Sequence, residues 1–388
     1  MTMQILRWTA AAMVVTVAAC GVGVEAGDGP DQAALQRGAD AIRDLGVTGV
    51  HARLVTEGGE HIVVTSGVTD TTSNEEVDPD GYFRIGSDTK PFVATVVLQL
   101  VGEGALSLDD AVERHLPGVV TGNGNDGNAI TVRHLLQHTS GIHDDDPGHD
   151  TPQPYLERRF HPFPPEELVA RAMRHPPDFA PGTAWAYSNT GYLLLGMIVE
   201  RLTGHPWYEE ADARILQPLE LEQTVWPGAD PRLPEPHARG YQRFAPEGPL
   251  WDVTELVEAN AAHGMVSTTA DLNRFYRSLL DGTLLGSAQL AQAQQTVPVN
   301  EEVEQVWPGG RYGLGLRARP LSCGGVYWGH SGGVTGYITE GGVTPDGARS
   351  VIVSMSSALA GSAESAIHQQ QAADRLVDDA LCGGRQRE

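Results

Sequence analysis

Apolar residues recur with a helical period over residues 31–45, where Ala34, Leu35, Ala39, Ala41, Ile42 and Leu45 form one stripe. Two strand-like runs follow, 49–56 and 61–65, joined by Glu57-Gly58-Gly59-Glu60, a hairpin signal. The stretch 87–100 differs. Phe92, Val93, Ala94, Val96, Val97, Leu98 and Leu100 leave it apolar on most faces, which predicts a helix at the centre of a domain. Beyond it the patterns are mostly helical, at 131–138, 165–174, 190–202, 270–280 and 287–295, separated by loops rich in Pro and Gly. The C-terminal part returns to strands at 325–328, 335–339 and 350–356, closed by a helix at 364–381. Strands at both ends with helices between predict an α/β sheet domain built from 31–90 and 297–388. A mostly helical domain, 91–296, is expected to be inserted in it. No internal repeat is visible.

The chain has 388 residues with 26 Lys+Arg against 50 Asp+Glu, a net charge of −24. Charged residues at 20% and hydrophobic residues at 40% are a globular composition. The acidic balance argues against binding nucleic acid or an anionic membrane surface. Of the 26 basic residues 25 are Arg and one, Lys90, is Lys. Lys can give up its proton in a protein and Arg cannot, so Lys90 is where chemistry is expected.

Arg7 precedes an apolar run, 8–19, too short to span a bilayer of about 30 Å but suited to a signal peptide, expected over 1–20. The run ends Val17-Ala18-Ala19-Cys20-Gly21, which resembles a bacterial lipobox. Cys20 would then carry a lipid and tether the chain to a membrane; ordinary cleavage near small residues is the other reading. Both predict export, with 21–30 as a tether. Removing Cys20 leaves Cys323 and Cys382, an even pair in an oxidising compartment, expected as a disulfide rather than two free thiols.

Gly86-Ser87-Asp88-Thr89-Lys90-Pro91 opens the apolar helix, and Pro91 pins the helix start because Pro is tolerated only in a first turn. Ser87 and Lys90, at i and i+3, then share a face, with the hydroxyl at the positive end of the helix dipole. A buried lysine loses its charge readily and can act as base to the serine. Tyr187-Ser188-Asn189 precedes a later helix. Tyr187 is a candidate to relay a proton with Lys90, and Asn189 to hold a substrate amide, although an N-cap beside a packed Tyr explains them equally simply. In Gly329-His330-Ser331-Gly332-Gly333, small residues let a substrate backbone lie along an edge strand with the Gly333 N–H aimed at an oxyanion. Arg317 heads a neighbouring strand and is either a receiver for a carboxylate or a solvated strand-end charge.

Taken together, Ser87-x-x-Lys90, Tyr187-x-Asn189 and His330-x-Gly332 resemble the three motifs of the penicillin-recognising serine enzymes. The likeness is to exocellular D-alanyl-D-alanine carboxypeptidases and their relatives, the class C β-lactamases and β-lactamase-like esterases. It extends from about residue 37 to Cys382 and includes Leu135-Leu136-Gln137-His138-Thr139-Ser140-Gly141 and Leu314-Gly315-Leu316-Arg317. The resemblance implies an α+β fold, an antiparallel sheet flanked by terminal helices with a helical insertion. It implies Ser87 as acylated nucleophile, Lys90 and Tyr187 as proton-handling pair, and His330 in the place often held by Lys. Asn189, Arg317, Ser331 and Gly332 would bind substrate, and the N–H groups of Ser87 and Gly333 would form the oxyanion hole. No metal or organic cofactor is implied. Two departures stand out. Ser331 keeps a hydroxyl where the carboxypeptidase has Thr, but Gly333 has none, which weakens carboxylate recognition; and His263 stands where relatives commonly carry a small residue.

Two other patterns carry less. Gly329-x-Ser331-x-Gly333 matches a nucleophile elbow, but only His368 follows it. His134 and His138 have a zinc-protease spacing, with His143 and Asp144–Asp146 nearby, yet Leu135 replaces the required glutamate. A helix face followed by an acidic surface loop accounts for them. The expectation is therefore an exported serine acyl-transfer enzyme acting on D-alanyl-D-alanine peptides of the peptidoglycan type, as a monomer. A β-lactamase or esterase is the alternative within the class. A penicillin-binding sensor that acylates without turnover is the alternative of another class.

Overall fold

The computed structural model describes residues 29–145, 147 and 151–383. The export segment, Cys20, nearly all of the tether and Asp146 lie outside the described residues.

A nine-stranded antiparallel sheet organises the molecule. Its order runs His61–Gly67, Gly49–Val55, Ser350–Met355, Tyr337–Val343, Val326–Gly329, Arg317–Pro320, Arg311–Tyr312, Val297–Pro298. The short strand Gly332–Val334 also pairs with Tyr337–Val343, at its beginning, whereas Val326–Gly329 pairs at its end. The chain from 326 to 334 is thus one strand interrupted at His330-Ser331, and such interruptions re-aim side chains.

Side chains alternate across the sheet as a pleat requires. Val50, Ala52 and Leu54, with Val351, Val353 and Met355, face the terminal helices Pro30–Arg43 and Ala363–Cys382 in one core. Ile352 and Val343 face the opposite way into a larger core with Phe92 and Phe275. Those two rings stack with centroids 3.8 Å apart and join helix Thr89–Gly102 to helix Thr269–Leu280. The latter falls inside the stretch expected as the inserted domain, yet it packs on the sheet: Thr269 Oγ1 is 3.0 Å from His51 Nε2, and Asn273 Nδ2 donates to the Arg53 carbonyl. The stretch is also less purely helical than expected. Tyr241–Arg243 and Leu250–Asp252 form a small sheet with Ser357–Ala358, tying the insertion to the C-terminal part.

Helix Thr89–Gly102 is buried almost all round, as a sequence apolar on most faces predicts. Cys323 and Cys382 lie with their Cα atoms 5.8 Å apart, the spacing a disulfide needs.

Candidate active site

Ser87 sits in a tight turn, Gly86–Asp88, that runs straight into helix Thr89–Gly102. Gly86 has φ +53°, and a Cβ there would stand 2.8 Å from the Gly333 nitrogen. Glycine is needed at both counts, for the dihedral and for the approach. Gly332 is equally constrained, because a side chain would collide with the Ile85 carbonyl. These contacts hold the nucleophile turn against the interrupted strand, bringing the Ser87 and Gly333 backbones together. Asp88 secures the turn from behind. It is fully buried, accepts from the Tyr276 hydroxyl, and burial pushes its carboxyl well above the usual range.

Lys90 is completely buried. Its Nζ lies 3.0 Å from Ser87 Oγ, 2.8 Å from Asn189 Oδ1 and 2.9 Å from the Ala262 carbonyl. Two of these partners can only accept. They take two amine hydrogens in either charge state, so the third tetrahedral direction points at Ser87. Along it the nitrogen presents a lone pair to the hydroxyl when neutral, and donates a proton to Oγ when charged. One proton can cross between Ser87 and Lys90 with the other two bonds unchanged.

Tyr187 covers this amine with its ring. Its hydroxyl is buried, with no partner in hydrogen-bond geometry among the described residues. Burial pushes the phenol well above its usual ionisation, against a smaller pull from the Ser87 hydroxyl. At rest it is the protonated phenol, not a phenolate, and so has a proton it could donate or relay. His138 brackets it: its carbonyl accepts from Ala186 N and its Nδ1 accepts from Ser188 N, with its ring 4.3 Å from that of Tyr187. His134 serves the cap of its own helix, its Nδ1 accepting from Thr131 N.

Ser188 caps helix Asn189–Thr203, and Asn189 projects back to Lys90. The other end of the Asn189 amide is held by Asp144, whose Oδ2 accepts from Nδ2 at 3.0 Å. Asp144, read from sequence as part of an acidic surface loop, thus lies one residue behind Lys90. His263 is 2.9 Å from Glu258 and near the Asn260 amide, on the loop that delivers the Ala262 carbonyl.

His330 is 1% exposed. Its Nδ1 is 2.7 Å from the Ser331 carbonyl, which can only accept, so the proton is on Nδ1. Nε2 then accepts from the Tyr312 hydroxyl at 2.8 Å. Burial, helped by the charges of Lys90 and Arg317, pushes the imidazole well below its ordinary value, so it is neutral. Nothing in the sequence pairs Tyr312 with a histidine eighteen residues further on.

Arg317 departs from expectation. It is wholly buried, its guanidinium is paired with Glu340 on Tyr337–Val343, across the intervening strand Val326–Gly329, and its face lies 5.0 Å from the Trp307 ring. The carboxylate it receives is internal. It is not a solvated strand end, and its charge is already answered by Glu340, a partner the sequence did not show; its Nε and Nη1 are buried with no partner in hydrogen-bond geometry among the described residues.

Ser87, Lys90, Tyr187, Asn189, His330 and Gly333 therefore meet at one place, with Ser331 and Gly332 alongside. The beta-lactamase family model matches residues 39–375. The chain belongs to the beta-lactamase family. This is a family of serine hydrolases, and the fold is that of the beta-lactamases and transpeptidases. Among relatives of this beta-lactamase-family chain, penicillin-binding protein 4 of Amycolatopsis lactamdurans is 32% identical over 292 residues, 69% of this chain and 70% of that one. The D-stereospecific amidohydrolase of a Streptomyces species superposes with a TM-score of 0.81 and 40% identity, covering 91% of this chain and 99% of that chain. D-amino acid amidase of Ochrobactrum anthropi SV3 superposes at 0.79 with 28% identity, covering 92% and 100%.

Proposed function

We propose that this protein hydrolyses amide and ester bonds through an acyl-enzyme on Ser87, and that it prefers substrates with no carboxylate beyond the scissile bond. Amides and esters of D-amino acids are the class in view. In the acylation step Ser87 Oγ gives its proton to the Lys90 lone pair and attacks the carbonyl carbon. The carbonyl oxygen becomes an oxyanion facing the Ser87 and Gly333 N–H groups. The C–N or C–O bond breaks as the leaving group takes a proton passed from Lys90 through Tyr187. Water then attacks the acyl carbon, its proton going to Lys90, and as the acyl carbon–Oγ bond breaks Lys90 returns that proton to Oγ and the acid is released.

The observation that carries the substrate preference is His330, held neutral by internal bonds on both ring nitrogens. The other cation nearby, Arg317, is neutralised by Glu340. An approaching carboxylate would be desolvated with no charge offered in return, which is unfavourable by several kcal/mol, roughly the cost of an unpaired buried ion. An amide or ester terminus escapes that cost. The amidohydrolase and amidase activities for which the two structural neighbours are named agree with this preference.

The second reading is the D-alanyl-D-alanine carboxypeptidase expected from sequence, with β-lactams as acylating analogues; similarity to penicillin-binding protein 4 and the Ser331 hydroxyl favour it. A matched pair of peptides separates the two: an acylated D-Ala-D-Ala with a free C-terminus, and the same peptide as its C-terminal amide. The amide should be cleaved with the higher kcat/KM. Faster cleavage of the free acid would overturn the preference. Export, with or without a lipid on Cys20, and an oxidised Cys323–Cys382 pair belong to the same proposal. Thiol titration of the denatured, unreduced mature protein should find neither of those two cysteines free.

A further inference from the structure

Asp144 is bonded to the site, whereas its neighbour Asp145 is turned to Arg171 and His175. Its Oδ1 accepts from the Thr190 N–H and the Thr190 hydroxyl, both at 2.9 Å, and its Oδ2 accepts from Asn189 Nδ2 at 3.0 Å. The first two bonds fix the carboxylate on the N-terminus of helix Asn189–Thr203, where negative charge is favoured. The third decides which way the Asn189 amide faces. An amide has one donor end and one acceptor end. With NH2 bound to a carboxylate, the oxygen must point the other way, and it points to Lys90 Nζ at 2.8 Å.

We propose that Asp144 is a positioning residue for the base: by holding the Asn189 amide in one orientation, it keeps an acceptor on Lys90 and so keeps the amine's third direction on Ser87. It touches neither substrate nor the reacting atoms. The proposal rests on Lys90 serving Ser87, not on any particular substrate. Carboxylate, amide and amine form a line in which each dipole favours the next, and rotating the amide by half a turn would set a donor against the amine.

The other titratable groups around the amine are Asp88 from its own turn, His138, Tyr187 and Tyr192 from the insertion, and His330 from the interrupted strand. On the Asp144 side, Asp145 and His263 border the same small cavity. Removing the Asp144 charge and turning the amide both disfavour the ammonium, so the amine should lose its proton at a lower pH even as it becomes a worse-aimed base.

Lys90 is the only lysine of the 388 residues, so protein grown with 13Cε-labelled lysine carries one reporter resonance, whose shift with pH follows this amine directly. The second readout is the rate at which a fluorophosphonate labels Ser87, which needs no knowledge of the substrate. In Asp144→Asn the new NH2 faces the Asn189 NH2 and the amide should turn. Labelling is expected to slow by roughly 100-fold, the usual cost of a misplaced catalytic group. The lysine midpoint should fall by about one pH unit. The double variant Asp144→Asn with Asn189→Asp exchanges the two groups, restores donor against acceptor and returns an oxygen to Lys90. It should bring the midpoint up past the native one, because the carboxylate now meets the amine directly, and labelling should recover as the pH is raised toward that midpoint. Slowed labelling with an unmoved lysine midpoint would reduce Asp144 to a structural cap and overturn the proposal, as would a double variant no better than the single one. That comparison holds even if the single variant folds poorly. Failure of the native protein to label at Ser87 would instead remove the serine-hydrolase reading and this proposal with it.

Discussion

The ring of Tyr187 lies over the amine of Lys90, with Nζ 4.7 Å from the ring centroid. The aromatic face offers that amine a weakly attractive lid. Because burial holds the phenol protonated, its contribution is a proton delivered and recovered. Tyr187→Phe keeps the ring and removes the relay. Amide turnover should fall about 100-fold. Turnover of a p-nitrophenyl ester, whose leaving group needs no proton, should fall by less than about tenfold. Equal losses on both substrates would show that Tyr187 does not serve the leaving group.

Lys90→Arg conserves charge and destroys basicity. A guanidinium cannot accept the serine proton, and its planar head cannot satisfy Asn189 and Ala262 in the tetrahedral arrangement of an amine. Acylation should drop by at least about 1000-fold, measured as fluorophosphonate or chromogenic-ester burst. Substantial retained acylation would mean that another group takes the proton.

Arg317→Ala separates the clamp from the structural role. Removing the guanidinium leaves Glu340 buried without its ion-pair partner, Gln370 being the remaining side-chain donor to it among the described residues. The loss should be about 3–5 kcal/mol, seen in chemical denaturation. KM for free-acid and amidated peptides should change by the same factor in whatever folded fraction remains. A rise in KM confined to the free acid would restore Arg317 as a carboxylate receiver.

His51 provides a pH test of the sheet face under helix Thr269–Leu280. Burial, with Arg53 nearby, lowers its pKa from 6.5 to about 3. The unfolded chain therefore takes up a proton first, and stability falls as pH drops below 6.5. At pH 5.5 the single group should cost about 1.4 kcal/mol. His51→Gln retains a polar partner for Thr269 without titrating, so its stability should fall less between pH 7.5 and 5.5 than that of the native protein. Parallel losses in the two proteins would show that His51 is not neutral in the folded state.

Local spacing made Ser87 and Lys90 a pair on paper, since three residues along a helix is a contact whatever the rest of the chain does. Pro91 marked the helix start and the apolar run 92–100 placed that helix inside, because periodicity and ring geometry act over a few residues. The lone lysine singled itself out by composition. Tyr187, Asn189 and His330 could be named as candidates, but only by motif order. Their distances to Lys90 depend on segments about 100 and 240 residues away in the chain folding against one turn, and no short-range rule sets them.

Tertiary structure alone decided the charges. Arg317 heads its strand as the sequence suggests, and its meaning reversed when Glu340 arrived from a different strand, because an ion's role is set by what neutralises it. His330 is neutral because Tyr312 and the Ser331 carbonyl meet its two nitrogens in a dry place. Asp144 serves the site because the loop after Gly141 folds back onto the helix that begins at Asn189. Sequence determined which groups can hold or move a proton; burial and long-range pairing determined which of them do, since ionisation responds to solvent exclusion and neighbouring charge, and neither is a property of residues in order.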